Sequence, residues 1–330
     1  MSTQFTVVIP TRNRVNLLSR ALESLARQTF SQFDVVVVDD GSTEDIAAGI
    51  ARFPKLSIRL LSTGGKGAPF ARNMGTDAAQ GEFIAYLDSD DVFLPDKLEV
   101  VARTIAGGQA DIVVGPGFVW RGEPRVQLRP SRPPRSDEDL SEFYFVADER
   151  IQTSCFVVRT SAAQAVRWDE RLRKVQDPDF MIRLVRAGKR LVYVDQPLSV
   201  LYDDTPVGRI SNNNSEANMR DWLARSDGIL TPRARQGFEL YALAYEVSLR
   251  NKGAALGMVG RNAFAGAVPP KVLAKSAFRV VAPQAMFKKL AQLMLARDQG
   301  ASRPELATFL AEVETAAARR AGTEVTHNAD

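Results

Sequence analysis

Histidine and cysteine are almost missing from this chain of 330 residues, which holds one of each, His327 and Cys155. His327 lies in a polar tail at the end of the sequence. No imidazole metal site, catalytic His dyad or Ser-His-Asp triad can therefore be assembled. A lone cysteine excludes an intrachain disulfide, which fits a reducing compartment, and a free cysteine is expected to act as a small buried apolar residue. Nothing approaches the roughly 20 apolar residues that a membrane-spanning helix needs. Met1 to Thr6 also lack the basic-then-apolar pattern of a secretory leader. The expected location is cytoplasmic, with peripheral contact at the inner face of the cell membrane left open. Neither sign of charge dominates: 43 Lys and Arg stand against 39 Asp and Glu, a formal net charge of +4. No nucleic acid is expected as a partner. A metal must then sit on oxygen ligands, and a general base must be Asp or Glu.

What is present is ordinary for a soluble globular protein, 45% apolar and 25% charged. The length allows one large α/β domain with an appended segment, or two modest domains. Short β-branched runs, Phe5 to Ile9, Asp34 to Val38, Leu56 to Leu61, Phe83 to Leu87 and Asp111 to Val114, alternate with helical patterns. Those patterns cover Val15 to Gln28, Ser42 or Thr43 to about Phe53, Ala68 to Gln80 and Pro95 to Ile105. Such alternation predicts βαβ units and a mostly parallel sheet flanked by helices. Further strands are expected at Ile151 to Val158 and Leu191 to Val194, with a helix at Phe180 to Ala187. The Pro- and Arg-rich stretch Arg121 to Asp139 reads as an excursion from the sheet.

Ligands of such sheets bind outside the carboxyl ends of the strands. Polar residues gather there: Thr11-Arg12-Asn13 after the first strand, Asp39-Asp40 after the second, Asp88-Ser89-Asp90-Asp91 after the fourth. Three carboxylates in four residues repel one another unless a cation offsets them. Asp88 and Asp90, at i and i+2, can share one hard cation, Mg²⁺ or Mn²⁺, that also grips a diphosphate. A helix cap before Pro95 is the plainer explanation, and the delivering strand counts against it. Asp39 and Asp40 can accept from a nucleobase imide or a ribose hydroxyl, or simply shape a turn. Gly64-Gly65-Lys66-Gly67, with Ala71-Arg72-Asn73 behind it, suits phosphate at a helix start, although no Walker motif is present. Asp177 and Asp179 precede an amphipathic helix, where either capping or general-base chemistry would place an acid.

These motifs follow one another in a familiar order. Val7-Val8-Ile9-Pro10-Thr11-Arg12-Asn13-Arg14, Gln28-Thr29-Phe30, Val37-Val38-Asp39-Asp40-Gly41-Ser42, Ala71-Arg72-Asn73-Met74-Gly75 and Gly81 to Asp91 together closely resemble the family-2 inverting glycosyltransferases of GT-A fold. The match runs from about residue 5 to about residue 200. The resemblance implies that Asp39 and Asp40 read the base and ribose of a nucleotide-sugar, usually a UDP-sugar, with Pro10, Arg12 and Arg14 beside them. Arg72 lies near the nucleotide. Asp88 and Asp90 are the acids of the DxD motif around Ser89, with the second usually meeting the metal and the first the ribose. Asp177 matches the catalytic base. Gln176 departs from the usual Glu, and the loop from Tyr202 to Ser215 lacks the His that relatives often carry, leaving Arg209 as an alternative phosphate contact.

From Val247 to Arg297 there are nine Lys or Arg and no Asp or Glu. After Pro283, Met286, Phe287, Leu290, Leu293 and Met294 share one helical face, the pattern of a helix lying on an anionic membrane or packed on the catalytic part. The expected organisation is a nucleotide-sugar-binding and catalytic domain at 1–215 and a helical C-terminal region at 216–330 that docks on a membrane or partner. The expected reaction moves a hexose from a UDP-sugar to a glycan or lipid-linked acceptor in surface polysaccharide synthesis. A sugar-1-phosphate nucleotidyltransferase and a non-catalytic nucleotide-binding scaffold are the competing readings.

Overall fold

The computed structural model describes residues 4–203, 216–266, 268–282, 286 and 302–322. The strands are β1 (Phe5–Thr11), β2 (Phe33–Asp39), β3 (Ile58–Ser62), β4 (Phe83–Tyr86), β5 (Val92–Phe93), β6 (Ile112–Val114), β7 (Gly117–Trp120), β8 (Gln127–Arg129), β9 (Phe156–Arg159), β10 (Leu191–Tyr193) and β11 (Ser199–Tyr202). The helices start with α1 (Val15–Ala26), α2 (Ile46–Ile50), α3 (Ala68–Ala78), α4 (Lys97–Ile105), α5 (Leu140–Phe145), α6 (Thr160–Val166) and α7 (Gln176–Arg186). They continue with α8 (Glu216–Arg225), α9 (Pro232–Phe238), α10 (Ala244–Ser248), α11 (Lys252–Ala265), α12 (Pro270–Val281) and, last among the described residues, α13 (Pro304–Ala321). A π-helical segment, Glu239–Leu243, joins α9 to α10.

Seven strands form the main sheet in the order β10-β6-β9-β4-β1-β2-β3. Only β9 runs antiparallel to its neighbours. The expected GT-A-like α/β architecture, mostly parallel, is therefore the observed one. Alternate residues of a strand face opposite sides of the sheet. Phe5, Val7 and Ile9 accordingly pack with Leu18, Leu22 and Leu25 of α1. Val8 faces the other layer with Tyr86, Phe156 and Phe180. Both faces of β1 and β2 are covered, which is why their sequences read as unbroken apolar runs.

A second sheet has the order β5-β11-β7-β8. The stretch read as an excursion contributes β8 to it. The core passes beyond residue 216: Trp222 and Phe238 pack edge-on at 4.7 Å, and both meet Phe145 of α5. Leu306, Leu310 and Val313 of α13 cover Trp120, Val200 and Tyr202.

Several local expectations change. The helix expected from Ser42 or Thr43 to about Phe53 is only α2, capped by Asp45. Ser42 and Thr43 instead clamp the loop after β1: Ser42 Oγ accepts from Asn13 N, and Asn13 Oδ1 accepts from Thr43 N. The strand expected over Ile151 to Val158 begins as a 3₁₀ turn, Thr153–Cys155, before β9. Helix α7 starts at Gln176, so Asp177 and Asp179 form its first turn rather than precede it. Cys155 is buried, and burial pushes its thiol up to about 12, as its apolar reading requires. Among the described residues, no helix is long and apolar enough to cross a membrane. The expected helix after Pro283, all but Met286, lies outside the described residues, as do 204–215 with Arg209, and His327.

Candidate active site at the carboxyl edge of the sheet

Strand β1 pairs in parallel with β2 on one side and β4 on the other. Their carboxyl ends therefore open together, and the loops holding Arg12 to Arg14, Asp39 to Ser42 and Asp88 to Asp91 form one rim. Pro10 is buried within β1 and sets the base of that rim.

Arg72 is the hub. It lies on the second turn of α3 and is only 5% exposed. One Nη donates to Asp88 Oδ1 at 2.6 Å, the other to Gln176 Oε1 at 2.7 Å, and the guanidinium lies 4.7 Å above the Trp168 ring. Burial lowers its pKa, but Asp88 and Asp177 outweigh burial and raise it. A permanently charged guanidinium is thus held in a poorly solvated place, tying the turn after β4 to the first turn of α7. It is not a surface salt-bridge residue.

In the acidic turn, Asp91 N donates to Asp88 O at 3.0 Å. Asp88 and Asp90 stay half-buried, and Asp90 pairs with Arg14 at 3.0 Å. Arg20 donates to the Asp90 carbonyl at 2.6 Å. Asp91 turns inward to accept from Ser154 Oγ at 2.6 Å and Tyr202 N at 3.1 Å. Burial, then Asp90 and Asp88, push its carboxyl well above the usual range. Behind Ser154, buried Lys97 donates to Ser154 O at 2.6 Å and rests 3.6 Å over the Phe93 ring, with its pKa lowered to about 7 by burial. Ser89 is buried within the turn.

A metal can be tested against this donor set. Asp88 and Asp90 offer hard oxygen donors on one turn and remain open to solvent. Among the described residues, no three His, Cys, Asp or Glu side chains gather as a metal cage. Mg²⁺ and similar hard cations are often held by one or two carboxylates, with water and substrate phosphates completing the shell. The residues fit that mode of binding.

Asp39 and Asp40 diverge. Ser42 N donates to Asp39 Oδ1 at 2.9 Å, and Asp39 stays half-buried at the rim. Asp40 is buried and grips the Gly-rich loop: Gly67 N donates to both carboxylate oxygens at 2.9 and 3.0 Å, and Thr63 Oγ1 donates as well. Arg12, largely exposed, lies 4.0 Å from it. Gly41 allows this folding-back, because its φ is +80° and a Cβ there would meet Gly65 N at 2.9 Å.

Asp177 receives a hydrogen bond from Thr153 Oγ1. Burial raises its carboxyl to about 6; Arg72 pulls it down and Asp88 pushes it up. Asp179 has a packing role: buried, it accepts from Arg183 at 2.8 Å and from Trp222 Nε1 at 2.8 Å. Two contributors were missed from sequence. Thr153 lies between Gln152 and Ser154, in a polar step of a stretch that reads as strand. Trp168 stacks on Phe180 at 4.2 Å beneath Arg72, and a large aromatic inside Arg167-Trp168-Asp169-Glu170-Arg171 was the available signal.

Comparison with known proteins gives the assignment. The pattern described as Glycosyl transferase family 2 matches residues 6–167. The amylovoran biosynthesis glycosyltransferase AmsB of Erwinia amylovora is 30% identical over 258 residues, covering 75% of this chain and 86% of AmsB. This chain belongs to glycosyl transferase family 2.

The succinoglycan biosynthesis protein ExoW of Rhizobium meliloti is 31% identical, over 67% of this chain and 77% of ExoW. In structure, the family 2 fold here is similar to S. aureus TarS 1–349, solved with UDP-GlcNAc, at 20% identity and a TM-score of 0.63, covering 98% of this chain and 93% of that one. It is also similar to the mannosyltransferase PcManGT of Pyrobaculum calidifontis, solved with GDP-Man and Mn²⁺, at 17% identity and a TM-score of 0.54, covering 96% and 86%. As a family 2 member the chain is a glycosyltransferase, and the rim lies where sheets of this class collect their polar loops.

Proposed function

We propose that this glycosyltransferase moves a hexose from a UDP-sugar to a hydroxyl of a glycan or lipid-linked acceptor in surface polysaccharide synthesis, by one inverting displacement that needs Mn²⁺ or Mg²⁺. The observation that carries the reading is Arg72, which joins the Asp88 turn to the α7 turn bearing Asp177. The names of AmsB and ExoW favour a polysaccharide product, and the ligands of TarS and PcManGT favour a nucleotide-sugar donor.

Asp39 and Arg12 border the nucleoside, while Asp40 shapes the Gly64–Gly67 loop beside it. Asp88 and Asp90 would hold the metal, which supplies positive charge against the diphosphate when bound. Arg72 adds a preorganised charge where the leaving group gains its own, and a dry surrounding strengthens that effect. Arg14 keeps Asp90 facing the rim. Asp177 takes the proton from the acceptor hydroxyl, oriented by Thr153. The oxygen attacks the anomeric carbon as the bond to the diphosphate breaks, so configuration inverts and no covalent nucleophile is required.

UDP release from UDP-sugars with Mn²⁺ tests the reading; pyrophosphate from UTP would mark a nucleotidyltransferase, and no product at all a scaffold. Asp177 must be deprotonated to act, and its carboxyl stands at about 6. Below that pH, kcat/KM is expected to rise about tenfold per unit, then level off above it. A profile flat from about pH 5 to pH 8 would take Asp177 out of the proton transfer.

The proposed division assigns catalysis to 1–215 and docking to 216–330. Supporting it, Leu249, Leu256 and Phe264 are exposed around α11, Phe264 at 96%, with Lys252 and Arg261 on the same helix. Peripheral binding to an anionic leaflet is expected to appear as sedimentation with phosphatidylglycerol vesicles at low salt and to weaken in Phe264→Asp. Equal sedimentation with phosphatidylcholine vesicles would argue against it.

A further inference from the structure

Away from the donor rim, three separate segments bring cations together around Tyr241 and Asp148. Arg150, just after α5, lies 4.8 Å from the centroid of Tyr241. Lys275 and Arg279, one turn apart on α12, lie 5.7 and 5.3 Å from the same centroid. Arg279 also stacks 3.9 Å over Tyr245. Arg129, at the end of β8, donates to the Asp148 carbonyl at 3.3 Å. Asp148 lies among these cations: Lys275 contacts it and Arg150 reaches it at 3.5 Å, while Glu246 also acts on Arg279.

Two neighbouring acids hold partners outside the cluster. Glu149 accepts from Ser131 N at 2.8 Å and from its hydroxyl. Glu246 pairs with Lys174 at 3.2 Å. Even with Arg279 left out, Arg129, Arg150 and Lys275 stand against Asp148 alone, three positive charges to one negative, or +2 among the described residues. Like charges held this close repel unless an anion joins them.

Two further features mark a built surface. Tyr241 sits in the π-helical segment Glu239–Leu243, an irregularity that is rare and frequent at functional sites. The cations are also reachable, since 47% of the Arg150 side chain and 48% of the Lys275 side chain meet solvent. Lys275 and Arg279 belong to the basic, acid-free stretch from Val247 to Arg297 that the donor site does not use.

Position gives the purpose. Arg150 precedes Thr153, the partner of Asp177, by three residues, and three residues span at most roughly 10 Å. Ile151 between them is fixed through its carbonyl by Tyr144 Oη at 3.0 Å. One member of the cluster is therefore anchored, along the chain, within roughly 10 Å of the residue that holds the base.

We propose that Arg129, Arg150, Lys275 and Arg279 form a cradle for a phosphate carried by the acceptor, holding it beside Thr153 and Asp177. This rests on the glycosyltransferase reading above. Guanidinium forks match phosphate oxygens in pairs, and a net charge beyond +1 favours a phosphate or diphosphate over a sugar carboxylate. The phosphate belongs either to a diphosphate linking the glycan to its carrier or to a phosphodiester within the glycan.

The test is calorimetry of the full chain with inorganic pyrophosphate in EDTA. Wild type is expected to bind, and the Arg150→Ala/Lys275→Ala double variant to bind at least about tenfold more weakly, in line with the loss of two charge-assisted contacts. The pair Arg150→Lys/Lys275→Arg should retain most of the affinity. Arg14→Ala, at the donor rim, should bind as wild type does. UDP binding with Mn²⁺ and slow UDP-sugar hydrolysis should stay intact in the double variant. Dimethyl phosphate, a phosphodiester, distinguishes the sources: a clear preference for pyrophosphate assigns the carrier linkage, and equal affinity assigns a phosphodiester. Wild-type pyrophosphate affinity in the double variant, or its loss in Arg14→Ala instead, would overturn the cradle. Absence of UDP binding in wild type would sink the donor reading, a separate result.

Discussion

Asp177→Asn is expected to lower turnover about 10²–10⁴-fold, the range a positioned general base contributes. UDP binding in the presence of Mn²⁺ should be unchanged, because Asp177 lies beyond the rim that faces the donor. The substitution keeps side-chain shape, and Thr153 Oγ1 can still donate to the amide oxygen as it does to Asp177 Oδ1. Folding should not suffer. Burial pushes the Asp177 carboxyl up to about 6, so the native environment disfavours its charge. A carboxyl raised in this way costs stability above its ordinary pKa, and the cost reaches its full size above the folded-state value. Removing the charge is therefore expected to hold or raise the melting temperature at neutral pH. Calorimetry with UDP, steady-state UDP release and a thermal melt separate these outcomes. Wild-type turnover would remove Asp177 from the mechanism, whereas a collapsed melt would mean that its role is structural.

Asp90→Asn has the second large effect, an expected loss of about 10³-fold in turnover, since a metal contributes several kcal/mol to charge stabilisation and each 1.36 kcal/mol is tenfold. Its signature differs from that of Asp177→Asn. Wild type should bind UDP more tightly with Mn²⁺ than in EDTA, and the variant should lose that difference while keeping its metal-free affinity. Asp90 is half-exposed and pairs with Arg14, so the chain should fold without it. Asp91, one residue on, is buried against Ser154 and Tyr202. Metal-stimulated UDP binding surviving in Asp90→Asn would place the metal elsewhere.

The strand runs of β1, β2 and β4 were legible because burial on both faces demands continuous apolar residues. The loops after them were legible because polar residues at strand ends have few other uses. Adjacent acids were not separable this way. Asp39 and Asp40 look alike in sequence, yet only Asp40 meets the returning Gly67 amide. Asp177 and Asp179 are two positions apart on α7, nearly opposite on a helix of 3.6 residues per turn. One faces Thr153 and the other Arg183 and Trp222. Helix α2 was overextended because Ser42 and Thr43 are good caps, and long-range bonds to Asn13 claimed them first.

By itself, the order of residues determined the chemistry on offer. With one histidine and one cysteine, oxygen, guanidinium and ammonium are the groups left for holding a metal, a phosphate or a proton, and the pattern of the apolar runs already contained the parallel sheet. Only the tertiary structure decided which carboxylates stay open and which are absorbed into packing. It also decided that Arg72 joins two distant turns and that Arg150, Lys275 and Arg279 meet around Tyr241. The reason is physical: backbone pattern is local, whereas the burial and neighbours that set a charge's role come from segments far apart in the chain.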